Sequence, residues 1–240
     1  MLDAKQLEAN LASIRLRIAV AARQAGRAPE EISLVVVTKG HPVGALRTLW
    51  ELGIRDLGES YVQEGRSKQV ELGELPGLLW HMIGHVQSRK AEDVTRHFGL
   101  VHAVDSLKLA TRLDRFAAQT GKTLPVLLEV NVSGEASKHG WPAKTDTAFQ
   151  AALPEIAKVL QLPNVLVRGL MCMAPMTPTS AGSQPYFART RALLGELKTR
   201  HPEGEWSQLS MGMSDDFEAA IREGSTLLRI GTAILGPRPA

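Results

Sequence analysis

One cysteine, two tyrosines and no block of like charge exclude several kinds of protein at the outset. The lone Cys172 rules out an intrachain disulfide and any thiolate metal cluster, and its apolar surroundings suit a small core residue. No metal ligand is assigned. No apolar run approaches membrane-spanning length, and Met1-Leu-Asp-Ala-Lys-Gln6 lacks the basic-then-apolar layout of a secretory signal, so the cytoplasm is the expected compartment. The 28 basic and 25 acidic residues leave a net charge of +3 that no run concentrates, which points away from nucleic acid. No linker or low-complexity stretch divides the 240 residues, a length that suits one large core.

What is present is organised around Ile32-Ser-Leu-Val-Val-Val-Thr-Lys-Gly-His-Pro42. Its apolar residues read as a strand buried on both faces, as in a parallel sheet, and the run stops at Lys39. Desolvation disfavours a lysine's charged form, and an uncharged amine can attack an aldehyde to give a Schiff base. On this stretch alone, a lysine snorkelling from a strand end is the plainer reading.

An amphipathic helix over about 3–25 precedes this strand, with Leu7, Leu11, Ile14, Ile18 and Ala21 on one face. Strand-then-helix units follow. Strands are expected at Ile32–Val37, Ile54–Leu57, Leu78–Ile83, Val101–Val104, Pro125–Val132, Val165–Met173, Trp206–Leu209 and Leu227–Ile230. Gly58 to Tyr61 reads as a turn, Pro175 to Pro185 as a loop able to act as a lid, and Ser214 as the cap of a helix to Glu223. Eight units after one preliminary helix predict a (β/α)8 TIM barrel, with residues 1–28 as the extra N-terminal helix and 30–238 as the barrel of one 1–240 domain.

Chemistry in such a barrel collects at the carboxyl ends of the strands, which selects Lys39, Ser60, His81 with Gly84, Asp105, Asn131, Met171 to Met173, Ser210 to Ser214 and Arg229 to Thr232. The loops after the last two strands, Ser210-Met-Gly-Met-Ser214 and Gly231-Thr232, offer freed backbone N–H groups and hydroxyls suited to a phosphate. Asp215 and Asp216 read as first-turn acids at a helix start. An aldehyde-reactive lysine near a phosphate cup suggests a ligand carrying both groups, and pyridoxal 5′-phosphate is one. Arg229 then becomes informative, because a guanidinium at the pyridine nitrogen keeps that nitrogen unprotonated and weakens the ring as an electron sink.

Val36-Val-Thr-Lys39, Gly58-Glu-Ser-Tyr-Val-Gln-Glu64, Trp80-His-Met-Ile-Gly84, Ser133-Gly-Glu-Ala-Ser-Lys138, Arg168-Gly-Leu-Met171, Leu209-Ser-Met-Gly-Met-Ser-Asp-Asp216 and Arg229-Ile-Gly-Thr-Ala-Ile-Leu-Gly236 resemble, in order, the YggS/PROSC family of pyridoxal phosphate homeostasis proteins. The resemblance runs over about residues 30 to 238. It implies a fold-type III barrel like the amino-terminal half of alanine racemase, with Lys39 holding pyridoxal 5′-phosphate through a Schiff base. It further implies cofactor contacts from Ser60, His81, Met211 and Arg229, phosphate contacts from Ser210, Gly231 and Thr232, and a part for Lys138 in cofactor handling. The chain departs from the family pattern at Ser60, at His85 and Arg89, and at Gly40-His41; His41 or His85 is a candidate to tune the lysine.

Three functions compete: a cofactor carrier with little turnover, a fold-type III racemase or decarboxylase, and a Schiff-base aldolase. Two-base racemisation requires an acid/base opposite the lysine, and neither Tyr61 nor Tyr186 sits on an appended domain. The aldolase gives Arg229 no task. The expectation is a cytoplasmic monomer that is not an enzyme, binds pyridoxal 5′-phosphate and has apo-enzymes that depend on that cofactor as partners, without nucleic acid or membrane.

Overall fold

The computed structural model describes residues 3–177 and 179–238; the outermost residues of the expected 1–240 domain, and Pro178 of the expected loop, lie outside them. Helix α1, Ala4–Gln24, begins where the Asp3 side chain accepts from the Gln6 N–H, and it buries Leu7, Leu11, Ile14 and Ile18. It packs against the C-terminal helices: Arg17 pairs with Glu218, and the Asn10 amide donates to the Ile234 carbonyl.

The units then run β1 (Ser33–Val37), α2 (Val43–Glu51), β2 (Asp56–Glu59), α3 (Val62–Leu72), β3 (Leu79–Met82), α4 (Ala91–His97), β4 (Leu100–Val104) and α5 (Leu107–Gln119). They continue with β5 (Leu124–Asn131), a two-residue β6 (Trp141–Pro142), α6 (Asp146–Leu160), β7 (Val165–Met171), α7 (Ser180–Arg200), β8 (Gln208–Ser210), α8 (Phe217–Arg222), β9 (Leu227–Ile230) and α9 (Thr232–Leu235). Every pairing is parallel, in the order β4-β3-β2-β1-β9-β8-β7-β5, and β4 pairs with β5 to close the barrel. The expected (β/α)8 barrel is thus the observed architecture, and β6 is a short addition beside β5.

Two apolar layers divide the core because strand side chains alternate. Val36, Leu57, Val101, Leu128, Leu170, Leu228 and Ile230 face the helices. Val35, Leu100, Ala103, Leu127, Met171 and Leu227 fill the interior.

Several boundaries differ from expectation for local reasons. Ile54 is taken into the turn after α2, where its N–H donates to the Leu49 carbonyl, so β2 starts at Asp56 and includes Gly58 and Glu59. Ser214 does not cap α8. Asp216 occupies the N-cap position, and its carboxylate accepts from the Met213 N–H. The expected loop over Pro175 to Pro185 is cut short because α7 starts at Ser180, with Pro185 early in the helix.

Candidate functional site

Lys39 lies two residues past β1, on the face shared by Val35 and Val37, at the carboxyl end of the barrel. Its neighbours are fixed. The Thr38 hydroxyl donates to Glu59 Oε1 (2.6 Å), and Lys68 Nζ donates to the Thr38 carbonyl (2.6 Å), Glu59 (2.7 Å) and Glu64 (2.7 Å). On the other side, Glu64 accepts from the Gly40 N–H. Gly40 has φ +76°, and a Cβ there would meet the Arg238 side chain at 2.9 Å, so both conformation and space select glycine. The backbone of Lys39 is thereby held between two clamped residues. Burial lowers its pKa, Arg238 and Arg229 add to that, and Glu59 and Glu64 oppose it.

Arg229 stands on β9 two residues after the interior Leu227, almost wholly buried. Its guanidinium donates to Ser210 Oγ and to the Cys172 carbonyl (2.9 Å), which points it along the interior instead of out to solvent. Its own N–H donates to the Gly212 carbonyl. Gly212 has φ +94°, and a Cβ would strike Ala220 at 2.6 Å, so the loop after β8 needs glycine to pass over β9. Cys172 is a fully buried thiol pushed up to about 11 by desolvation, in keeping with a core residue.

The structure separates Ser210, the last residue of β8, from Ser214 in the loop that follows. Ser210 is fully buried and turned inward, to Arg229 and to His102 Nδ1 (2.8 Å), while the Ser214 hydroxyl accepts from the Ala233 N–H (3.3 Å) at the rim. Ser214 therefore sits at the Gly231–Thr232 turn, and Ser210 does not. Gly231 is drawn against the end of β1, where a Cβ would meet the Val37 carbonyl at 3.0 Å. Met211 places its side chain in the outer core. Ser60 is half-buried at the end of β2, and Gly84 packs so closely on its backbone that a Cβ would overlap the Ser60 carbonyl.

His81 is fully buried in the barrel, its Nδ1 2.9 Å from His102 Nε2 and its Nε2 2.9 Å from Asp56 Oδ1. A continuous polar chain thus runs Asp56, His81, His102, Ser210, Arg229. Burial holds the His102 pKa well below its ordinary value, and the neighbouring His81 and Arg229 add to this. Lys138, on the loop after β5, pairs with Glu135 and donates to the Met173 carbonyl (3.2 Å), which brings it to the rim of the interior.

Sequence reasoning missed four contributors. His102 lies in a short apolar run and carried no signal beyond its residue type. Glu129, the one charged residue of β5, did carry one; it is buried, its Oε2 has no partner, and desolvation with the nearby Asp105 raises its pKa to about 7. Lys68 and Glu64 lie one helical turn apart on α3, a spacing that by itself signals no more than a surface ion pair.

The residues present fit pyridoxal 5′-phosphate. Lys39 is an amine of lowered basicity, Ser214 with the Gly231 and Thr232 N–H groups offers a small donor set at the rim, and Arg229 is a buried cation turned along the barrel interior.

The family model described as the alanine racemase N-terminal domain matches residues 9–239. The chain is 46% identical over 230 residues to the pyridoxal phosphate homeostasis protein of Pseudomonas aeruginosa, covering 95% of this chain and 94% of that one. It is 43% identical over 233 residues to the protein of the same name from Escherichia coli K12, covering 95% of each. Among solved structures, PipY of Synechococcus elongatus with PLP bound superposes with a TM-score of 0.82 at 37% identity, over 96% of this chain and 100% of that one. Alanine racemase of Clostridium difficile shares the fold, with a TM-score of 0.72 at 16% identity over 98% of this chain and 58% of that one.

Proposed function

The chain belongs to the alanine racemase N-terminal-domain family and, within it, to the pyridoxal phosphate homeostasis proteins, and from that premise we propose that it binds pyridoxal 5′-phosphate on Lys39 and acts in the homeostasis of that cofactor with little turnover. The bound cofactor presents an aldehyde to an amine and a phosphate to anion donors. The observation that carries the reading is the clamp on Thr38 and Gly40, which fixes Lys39 at the barrel mouth while burial lowers its basicity.

Each residue has a task in this reading. Ser214, Gly231 and Thr232 hold the phosphate, and Ser60 and Gly84 form the wall between β2 and β3. Arg229 is the residue that meets the ring nitrogen; a guanidinium donates only, so it cannot stabilise a protonated ring. Among the described residues no carboxylate pairs with Arg229 to take that role in its place, which favours carriage over racemisation or decarboxylation. Lys138, held at Met173, is the second amine at the rim and assists transfer. One chain supplies Lys39, Arg229 and the phosphate donors, which suits a monomer as the working unit. Its place is the cytoplasm, and its partners are apo-enzymes that depend on this cofactor. No helix among the described residues is long and apolar enough to cross a membrane.

The test is borohydride reduction of the loaded protein followed by peptide mapping. A pyridoxyl group on Lys39, lost in Lys39→Ala, is the expected result. Its appearance on Lys138 alone would overturn the assignment.

A further inference from the structure

The mouth of the barrel has a second arc, formed by the loops after β3, β4 and β5, opposite in strand order to the β1, β8 and β9 ends that carry Lys39 and the phosphate donors. Three loops bring His85, Asp105 and His139 together there, with one ligating atom of each within 4.8 Å of the others. The two imidazoles stack with centroids 3.6 Å apart and planes 11° from parallel. Both present Nδ1 to the same carboxylate oxygen, Asp105 Oδ2, at 3.0 Å from His85 and 4.0 Å from His139. The other oxygen, Oδ1, accepts from the Ser106 hydroxyl (3.0 Å), which orients the carboxylate and leaves Oδ2 for the imidazoles.

A second observation points to a missing positive charge. Among the described residues no lysine or arginine pairs with Asp105; its only ion-pair partners are these two histidines. Immediately inside, Glu129 is a buried carboxyl whose Oε2 lacks a partner and whose protonation is favoured by burial and by Asp105. Glu129 feels the Arg229 charge from within the barrel, but among the described residues no lysine or arginine serves both carboxyls.

We propose that His85, Asp105 and His139 form a binding site for a divalent transition-metal ion, with Zn2+ the best match to the donor set. The carboxylate oxygen is a hard donor, but the two imidazole nitrogens are borderline ones, and they favour Zn2+, Ni2+, Co2+ or Cu2+ over Mg2+ or Ca2+. Both imidazoles are exposed, so each is free to rotate out of the stack and bring its nitrogen to a bonding distance of about 2.0–2.1 Å. Three protein ligands leave the remaining position open toward the barrel mouth, where water or an anionic group completes the shell. The site takes none of the residues assigned to the cofactor's aldehyde, phosphate or ring nitrogen. It also gives His85, a departure from the family pattern, a specific part.

The experiment uses the tag-free full chain at neutral pH, titrated with cobalt(II) chloride and then with zinc chloride. One equivalent of cobalt is expected to produce ligand-field bands in the visible region that zinc abolishes, and equilibrium dialysis is expected to retain one zinc per chain. His85→Ala and His139→Ala should each remove the bands, and Ser106→Ala should weaken retention about tenfold by freeing the carboxylate. Stoichiometry should be the same with or without pyridoxal 5′-phosphate, so the result stands apart from the cofactor reading. No cobalt bands with the wild-type chain, or zinc retention unchanged in both histidine variants, would overturn the site.

Discussion

His81 Nδ1 and His102 Nε2 face each other at 2.9 Å inside the closed barrel, and only one hydrogen fits between them. The rest of the chain decides which atom carries it. Asp56 as a carboxylate accepts, so His81 donates from Nε2 and a neutral His81 must accept at Nδ1. His102 then donates from Nε2 and accepts at Nδ1. Burial keeps His102 uncharged, so the Ser210 hydroxyl supplies that hydrogen, while Ser210 accepts from Arg229. Hydrogens therefore run one way, from Arg229 to Asp56. Nitrogen-15 NMR should show both histidines as the Nε2–H tautomer at neutral pH. An Nδ1–H His102 at neutral pH would break this account.

The legible part of the molecule was what sequence neighbours decide. Lys39 announces itself by ending an apolar run, and Arg229 and Gly231 by following one, because strand position and barrel mouth are linked by topology alone. Pairings made by folding were not legible. His102 meets Ser210 across 108 positions, and the identity of either gives no hint of the other. Glu59 looked like a turn residue because its charge suggested solvent; Lys68, nine residues on, is what makes its burial in a strand tolerable. Ser210 and Ser214 were both eligible for a phosphate, and only the path of the loop showed that Ser210 turns inward.

Lys68 is predicted to be the residue whose loss most disturbs Lys39 without touching it. Lys68→Met leaves Glu59 buried with only the Thr38 hydroxyl for company, at a cost of about 3–5 kcal/mol, or roughly 10 °C in Tm. Burial already raises the Glu59 pKa, so the deficit should be smaller at acid pH, where Glu59 takes a proton. Thermal melts at two pH values measure this. The double variant with Glu59→Gln should recover part of the loss.

Ser214 and Ser210 should respond differently to a ligand without a phosphate. Ser214→Ala is expected to weaken pyridoxal 5′-phosphate binding about tenfold and to leave pyridoxal unchanged, as for loss of one hydrogen bond to an anion. Ser210→Ala should weaken both ligands alike and lower Tm, since it strips partners from Arg229 and His102. Titrations of each variant with both ligands separate the two roles. A phosphate-specific effect at Ser210 would move the cup inward.

Glu129 gives a pH dependence of stability whose sign is fixed by its raised pKa. Desolvation, with Asp105 adding to it and Arg229 opposing it, lifts the carboxyl from 4.5 to about 7. Between these values the folded chain holds a proton that the unfolded chain has released, so the folded state binds more protons and stability falls as pH rises. The contribution is intact below about pH 4.5, is lost progressively up to about pH 7, and stays lost above it; the whole range corresponds to at most about 3 kcal/mol. Glu129→Gln keeps the shape and can never ionise. It should therefore match the wild type near pH 4.5 and exceed it at pH 8, with roughly 2–3 kcal/mol gained in urea unfolding. An anionic Glu129 at neutral pH, stabilised by a partner, would instead make the variant the less stable protein at pH 8. Denaturation curves of the two proteins at both pH values decide between these outcomes.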